Sequence, residues 1–326
     1  MTTRDSKRAP RVSIIIPAYN TAGLIPHCLN SVLAQTYVDF EAIVINDGSA
    51  DTPELEQTLQ PYLNRIVYLK QENKRAAGAR NTAIRHARGE FLAFLDSDDI
   101  WFPEHLASQM RLFEQDPSLD LVYADAQLMG DPKGRDFMQR CPTEGMATFD
   151  AIVHERCHIS VSTVVIRKSV LVNAGMFDET LARCDDYDMW LRCAFHGAKI
   201  GFNRQIQAKL NGGRPGSLGQ SRAKMAEAYW LILEKALRTL PLDNTQRERL
   251  QLQATDIKSR YLLEEGKNQL AEGRFDSAKQ LFCEANRSFR RLKISMAVVG
   301  LTIAPNISAK IILLWNRVIS GLSSYT

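Results

Sequence analysis

An α/β architecture, a Rossmann-like and mostly parallel sheet flanked by helices, is predicted to lead into an all-helical C-terminal region. Three observations predict it: strands alternate with helices over the first hundred residues or so, the strands end in polar loops, and from about residue 220 the periodicity is helical throughout. Residues 12–16 (VSIII) read as a buried parallel strand, because β-branched side chains suit a sheet covered on both faces, and Pro17 cannot extend the ladder. Residues 24–34 carry helical periodicity through Leu24, Ile25, Cys28, Leu29, Val32 and Leu33. Residues 40–47 (FEAIVIND) form a second strand that stops at the polar turn Asn46, Asp47, Gly48, Ser49. Such a β-α-β unit is right-handed and parallel.

The alternation continues with a helix over 53–63, a strand over 66–69, a helix over 76–87, a strand over 91–95 and a helix over 103–113. Ligands of open α/β sheets sit outside the carboxyl ends of the strands. Those ends are Ala18-Tyr19-Asn20, Asn46-Asp47-Gly48-Ser49 and Asp96-Ser97-Asp98-Asp99, so three polar loops are expected to converge on one edge. Past residue 119 the pattern loosens into a strand (LDLVYADA), an irregular stretch to about 145, a strand over 162–166 and a helix beginning near Asp186. This half is expected to carry the second substrate. Residues 262–285 resemble one tetratricopeptide-type helix-turn-helix, with Gly273 at the turn; one unit is too few for a solenoid.

Composition narrows the function. The 326 residues are 45% hydrophobic and 24% charged, which excludes disorder as the main state. Forty-one Lys and Arg against 37 Asp and Glu give +4, with no long basic run in the first two hundred residues, so no nucleic-acid partner is expected. The N-terminal MTTRDSKRAP is polar and no signal-peptide apolar region follows, so export by that route is not expected. Six cysteines without paired spacing fit reduced thiols in a cytoplasm. A zinc site among His154, Cys157, His158, Cys184, Cys193 and His196 would lack any recognised pair spacing, and scattered thiols and imidazoles are the expectation there.

The acidic run Asp96-Ser97-Asp98-Asp99 follows an apolar strand, where clustered carboxylates repel unless a cation or donors neutralise them. A hard divalent metal, Mn²⁺ or Mg²⁺, is one partner; an acidic N-cap for the helix at Pro103 is the other reading. Three motifs in order, AYN after the first strand, NDGS after the second and then RAAGARNTAIRHARGEFLAFLDSDD, mark the chain as one that resembles glycosyltransferase family 2, with the GT-A fold. The resemblance covers residues 12–219. It implies that Pro17, Ala18, Tyr19, Asn20 and Asp47 hold the base and ribose of a nucleoside diphosphate sugar, with Arg80 near the base or diphosphate. It further implies Asp96 and Ser97 at the ribose and Asp98, with Asp96, at the metal. The family often reads Asp-Asp-Gly-Ser where this chain has Asn46, so the first acid is lost and the second, Asp47, is kept. The other readings are a turn-forming role for Asp47 and a surface ion pair for Arg80.

In GMFDETLARCDDYDMWLRCAFHG, Asp185, Asp186 and Asp188 crowd the start of a largely apolar helix. Helix capping through the dipole is one explanation and a general base is the other. The resemblance implies the second: Asp186 matches the Asp that in inverting members takes the proton from the acceptor hydroxyl, and Asp185 replaces the family's Glu. Arg214, in the Gly-rich loop 211–218, stands where many members have a His, so a phosphate contact is expected in place of a third metal ligand. An ordinary surface loop is the other reading.

The chain is thus organised as a flexible N-terminus (1–10), a catalytic domain (11–219, with its nucleotide half about 11–118 and acceptor half about 119–219) and a helical region (220–326). Glu284 is the last acid, and residues 292–319 form two apolar helical segments broken by Pro305. Each piece is shorter than the roughly 20 apolar residues that a span needs. These helices either pack on the catalytic domain or rest on an anionic membrane surface, as a peripheral protein on the inner face would. The expected activity is metal-dependent, inverting transfer of a sugar, from a UDP-sugar, to a glycan or lipid-linked acceptor. A nucleotidyltransferase would need a Gly-rich phosphate loop where Pro17-Ala18-Tyr19-Asn20 stands. A non-catalytic scaffold that binds a partner through the helical region would predict decay of acidic motifs that are intact apart from Asn46 and Asp185.

Overall fold

A computed structural model describes residues 8–131, 134–141, 143, 146–212 and 221–322. By internal contacts the chain divides into two compact units, Met1–Ser217 and Leu218–Thr326.

In the first unit, β1 (Val12–Ala18) is buried along almost its whole length, as its β-branched run requires of a central parallel strand. After α1 (Ile25–Leu33), β2 (Phe40–Asp47) pairs in parallel with β1 from Val12↔Phe40 to Ala18↔Asn46. Helix α2 (Thr52–Leu59), shorter than the periodicity suggested, passes into a 3₁₀ turn at Gln60–Tyr62; β3 (Val67–Gln71), α3 (Arg75–His86) and β4 (Phe91–Phe94) follow. β4 pairs with β1 only as far as Ile15↔Phe94. Pro17 therefore lies where β1 has no ladder partner on the β4 side and a missing N–H costs nothing.

Next come β5 (Ile100–Trp101), α4 (His105–Gln115), β6 (Leu121–Leu128), the short α5 (Phe137–Arg140) and α6 (Phe149–Val153), then β7 (Val165–Arg167), α7 (Lys168–Asn173), α8 (Asp185–Phe195) and β8 (Ile200–Leu210). The eight strands form one sheet in the order β3-β2-β1-β4-β7-β6-β8-β5, with β7 antiparallel to both neighbours and β5 antiparallel to β8. The expected α/β class is the one observed. The strand expected over 162–166 is instead a 3₁₀ turn at Val161–Thr163 followed by β7, because Ser162 turns to meet the acidic loop. The long β8 was not anticipated: a register shift against β6 between Ala124 and Ala126 leaves Arg204, Gln205 and Ile206 exposed in succession and breaks the alternation that betrays a strand.

One apolar core joins β1, β2, β4, α1 and α4 through Ile14, Ile16, Leu29, Val32, Val44, Phe91 and Met110. His105 is fully buried and stacks on Trp101, with ring centroids 4.2 Å apart; burial pushes its pKa down to about 3, so it is a neutral core residue.

The second unit is helical: α9 (Arg222–Thr239), α10 (Asn244–Ala271), α11 (Phe275–Phe289), α12 (Leu292–Ile303) and α13 (Pro305–Leu322). Asp243 and Gln246 close a capping box at the start of α10. The helical pair expected over 262–285 is present, with Gly273 at the turn (φ +76°), but its first helix begins much earlier, at Asn244. Leu270, Ala278, Phe282, Leu301 and Ala309 build a separate small core.

Candidate functional site

β1, β2 and β4 all end at the same edge, and the loops that follow are bonded to one another. Asn20 adopts a left-handed backbone (φ +54°), which Asn tolerates better than most residues. Its Oδ1 accepts from the Ala50 N–H at 2.8 Å, and its own N–H donates to Ser49 Oγ at 3.2 Å. The Thr21 and Ser97 hydroxyls are hydrogen-bonded at 2.9 Å, tying the first loop to the acidic one. Ala18 is buried, whereas Tyr19 is 49% exposed, leaving a ring surface at the edge on which a planar group could stack.

Asp47 ends β2 and is almost fully buried; its Oδ1 accepts from the Lys74 N–H at 2.8 Å and from Gln71 Nε2 at 2.7 Å. The loop before α3 is thereby held against the end of β2. Asn46, in the place of the family's first acid, donates to Thr52 Oγ1 and Tyr68 OH and accepts from the Ser49 N–H, so its amide is a turn-builder. Gly48 has φ +66°, and a Cβ there would stand 2.7 Å from the Asn73 nitrogen. Gly48→Ala combines a left-handed penalty of about 1–2 kcal/mol with a backbone collision, so it should lower the melting temperature and weaken nucleotide binding together. Calorimetry and a nucleotide titration on one preparation check both.

Arg80 is the keystone of the site. It is 4% exposed; its Nη1 donates to Asp185 Oδ2 at 2.6 Å and its Nη2 to Asp96 Oδ1 at 2.7 Å, while the guanidinium carbon lies 5.5 Å from the centre of the Phe177 ring. Burial works against the charge, but Asp96, Asp185 and Asp186 outweigh it and raise the Arg80 pKa. This is a buried bridge between two halves of the fold and not the surface pair that the sequence also allowed. Next to it, the Asn81 amide donates to the Phe177 carbonyl and to Glu179 Oε1 and accepts from the Phe177 N–H. α3 is thus fastened to the segment that leads into α8.

α8 opens with Asp185, Asp186 and Asp188 in its first turn, directly after Cys184 in a left-handed conformation (φ +56°). A β-carbon-bearing residue there stores strain of the kind found at functional sites. Asp188 is committed to a buried pair with Arg192, which also donates to the Met176 carbonyl. Asp186 accepts only from the Tyr187 N–H among the bonds described. Burial first and the Asp185 charge second push its pKa up to about 7, against the lowering effect of Arg80. A carboxyl poised near neutrality suits a general base.

In the acidic loop, Asp99 is buried and turned inward: Oδ2 accepts from Ser162 Oγ at 2.5 Å and Oδ1 from the Asn211 N–H at 2.7 Å, and burial pushes its pKa up to about 8. Ser162 also receives the Asp96 N–H at 3.1 Å. Asp96 and Asp98 are the partly buried members. The field of the loop reaches α1, where burial and then Asp99, Asp96 and Asp98 raise the Cys28 thiol. Among the described residues no group of three or more His, Cys, Asp or Glu is arranged around a metal. Asp96 and Asp98 present hard oxygen donors of the kind that Mg²⁺ or Mn²⁺ takes. Arg214 lies outside the described residues.

Of the residues named from the sequence, Arg80 and Asp96 are bonded directly, Ser97 next to Asp96 is tied to the first loop through Thr21, Asp47 braces the loop before α3, and Asp186 feels the fields of Arg80 and Asp96. Sequence reasoning missed Asp185 as the partner of Arg80, Asp99 with Ser162 as the brace of the acidic loop, and Asn81 as the tie to α8. Asp99 lay inside the acidic motif; nothing in the sequence singled out Ser162.

Comparison with known proteins finds relatives of this chain. The family model described as "Glycosyl transferase family 2" matches residues 13–171. The chain is 33% identical over 181 residues to the Escherichia coli UDP-Glc:alpha-D-GlcNAc-diphosphoundecaprenol beta-1,3-glucosyltransferase WfgD, covering 55% of this chain and 68% of that one. It is 32% identical over 218 residues to an uncharacterized glycosyltransferase of Rickettsia conorii, covering 64% of this chain but only 36% of the relative. Among solved structures, S. aureus TarS 1-349 in complex with UDP-GlcNAc is similar with a TM-score of 0.62 at 18% identity, covering 94% of this chain and 91% of that one. The mannosyltransferase PcManGT of Pyrobaculum calidifontis, in complex with GDP-Man and Mn²⁺, gives 0.59 at 19% identity, covering 96% and 89%. These likenesses establish a GT-A type of fold.

Proposed function

The chain belongs to glycosyltransferase family 2, and from that membership we propose that it moves a sugar from a nucleoside diphosphate sugar, a UDP-sugar, to a hydroxyl of a glycan or lipid-linked acceptor, with inversion. The observation that carries the reading is the Asp96–Arg80–Asp185 bridge, which joins the donor-side acidic loop to the start of α8 beside Asp186. Residues 11–219 are the catalytic domain in this reading, with 11–118 facing the nucleotide, 119–219 facing the acceptor and 220–326 a helical addition. UDP-glucose in the name of the E. coli relative and UDP-GlcNAc in the TarS complex support a uridine donor.

The Tyr19 ring and the backbone around Asn20 and Asp47 receive the base and ribose, while Asp96 and Ser97 meet the ribose from the opposite side. Asp98, with Asp96, would hold a divalent metal, which when bound would offset the charge of the leaving diphosphate. Asp186 accepts the proton of the acceptor hydroxyl as its oxygen bonds the anomeric carbon. The bond from that carbon to the diphosphate oxygen breaks on the opposite face, and the nucleoside diphosphate leaves with the electron pair. Arg80 holds Asp96 and Asp185 in place and keeps the Asp186 carboxylate from rising further in pKa. Six cysteines without paired spacing support a reducing, cytoplasmic setting.

Isothermal titration with UDP, GDP, CDP and dTDP, with and without Mn²⁺, tests the donor half. One nucleotide, UDP, is expected to bind in a Mn²⁺-dependent way, and Asp98→Ala to weaken it by about tenfold or more. Failure of a folded sample to bind any of the four would overturn the reading.

A further inference from the structure

Apart from Lys293, Ser295 and Thr302, α12 is apolar around its circumference, a composition that a two-sided environment demands. One side is accounted for: Ile294, Val298 and Leu301 pack with Ala309, Ile312 and Leu313 of α13 onto the small core around Leu270, Ala278 and Phe282. The other side is not. Leu292, Met296, Val299 and Ile303 follow one another at helical spacing along the outer face of α12, and Ile307 and Ile311 continue on α13; all six are between 53% and 78% exposed.

The two helices are held as one surface. A Cβ on Gly300 would stand 2.7 Å from Ser308 Oγ, so α12 and α13 approach closely next to the break at Pro305. Along the stretch of chain that carries this face, from residue 285 onward, the charge is of one sign. Arg287, Arg290, Arg291, Lys293 and Lys310 are all exposed, and no Asp or Glu follows Glu284. No helix among the described residues is long and apolar enough to cross a membrane. An apolar face on helices whose own charges are all cations complements an anionic lipid surface.

We propose that the outer face of α12 and α13 is a docking surface for an anionic membrane, the apolar row entering the acyl boundary and the cations meeting lipid phosphates. Binding does not depend on the catalytic reading; its use, to bring the enzyme to a lipid-linked acceptor, rests on that reading.

The full chain is to be sedimented with vesicles of phosphatidylcholine alone and of phosphatidylcholine mixed with phosphatidylglycerol. The protein should pellet with the mixed vesicles only, and raised salt should release it. Met296→Glu combined with Ile303→Glu should reduce binding about tenfold or more, and Lys293→Glu with Lys310→Glu should weaken it while leaving the apolar row intact. All four positions are exposed, so the variants spare the core. Absence of pelleting with either vesicle would overturn the proposal. So would a dimer in sedimentation velocity that Met296→Glu with Ile303→Glu dissolves, since the face would then serve a second copy of the chain. UDP titration of the same samples keeps a failure here apart from a failure of the donor site.

Discussion

Asp186→Asn should lower kcat by about 10²–10⁴-fold while leaving nucleotide binding intact, because a positioned base contributes that much and the amide cannot take the proton. The unmodified enzyme should show the matching pH limb. With the Asp186 pKa near 7, transfer should fall about tenfold per pH unit below it and level off above. The linkage has the opposite sign. A carboxyl whose pKa is raised on folding binds its proton more tightly in the native state, so stability is lost as pH climbs from about 4 to 7. The cost of holding Asp186 ionised is on the order of 2–4 kcal/mol. Asp186→Asn removes that cost, so at pH 8 the variant should melt no lower than the parent although it is inactive. Rate profiles and melting curves across pH 5–9 on both proteins test the pair of expectations. An inactive variant that also melts early would point to misfolding, and near-normal transfer would remove Asp186 from the mechanism.

The parts of this site that were legible in the sequence are those at strand ends. A parallel strand buried on both faces is a short apolar run, so the residues that stop it stand out: Asn20 after VSIIIPA, Asp47 after FEAIVI and Asp96 after FLAFL. The acids of α8 stood out because three carboxylates in four positions need a reason. Hidden from the sequence was everything that depends on distant pairing. Arg80 and Asp185 are 105 residues apart, and Ser162 and Asp99 are 63 apart. No local spacing announces either bond, and Arg80 on a helix reads equally well as a surface cation. β8 was hidden for a different reason, since its register shift puts three exposed residues together and erases the period of two. In the helical unit the break at Pro305 was plain, because proline cannot continue a helix, but which side of α12 faces a core was not: both sides are apolar.

Arg80→Met should be the most damaging single change for stability. Burial of a cation between two carboxylates is favourable only while all are present, and removing it leaves Asp185 nearly buried without a counter-charge. Breaking such a bridge typically costs about 3–5 kcal/mol, or roughly 6–20 °C in melting temperature for a unit of this size. The functional signature goes further than lost stability. Arg80 is the cation that lowers the Asp186 pKa, so its removal should move the acid limb of the rate profile above 7 in whatever fraction remains folded. Arg80→Lys keeps a charge but presents one ammonium in place of a fork, so it should recover part of the stability and lose one of the two bonds. Arg80→Met combined with Asp185→Asn should regain stability by removing the orphaned charge, and it should bring the limb back down because Asp185 is the charge that most raises Asp186. Melting temperature and pH-rate profile measured on the three variants separate the two effects. If the limb stays near 7 in Arg80→Met, Arg80 braces the fold without tuning the base, and the link between the donor loop and α8 is mechanical only.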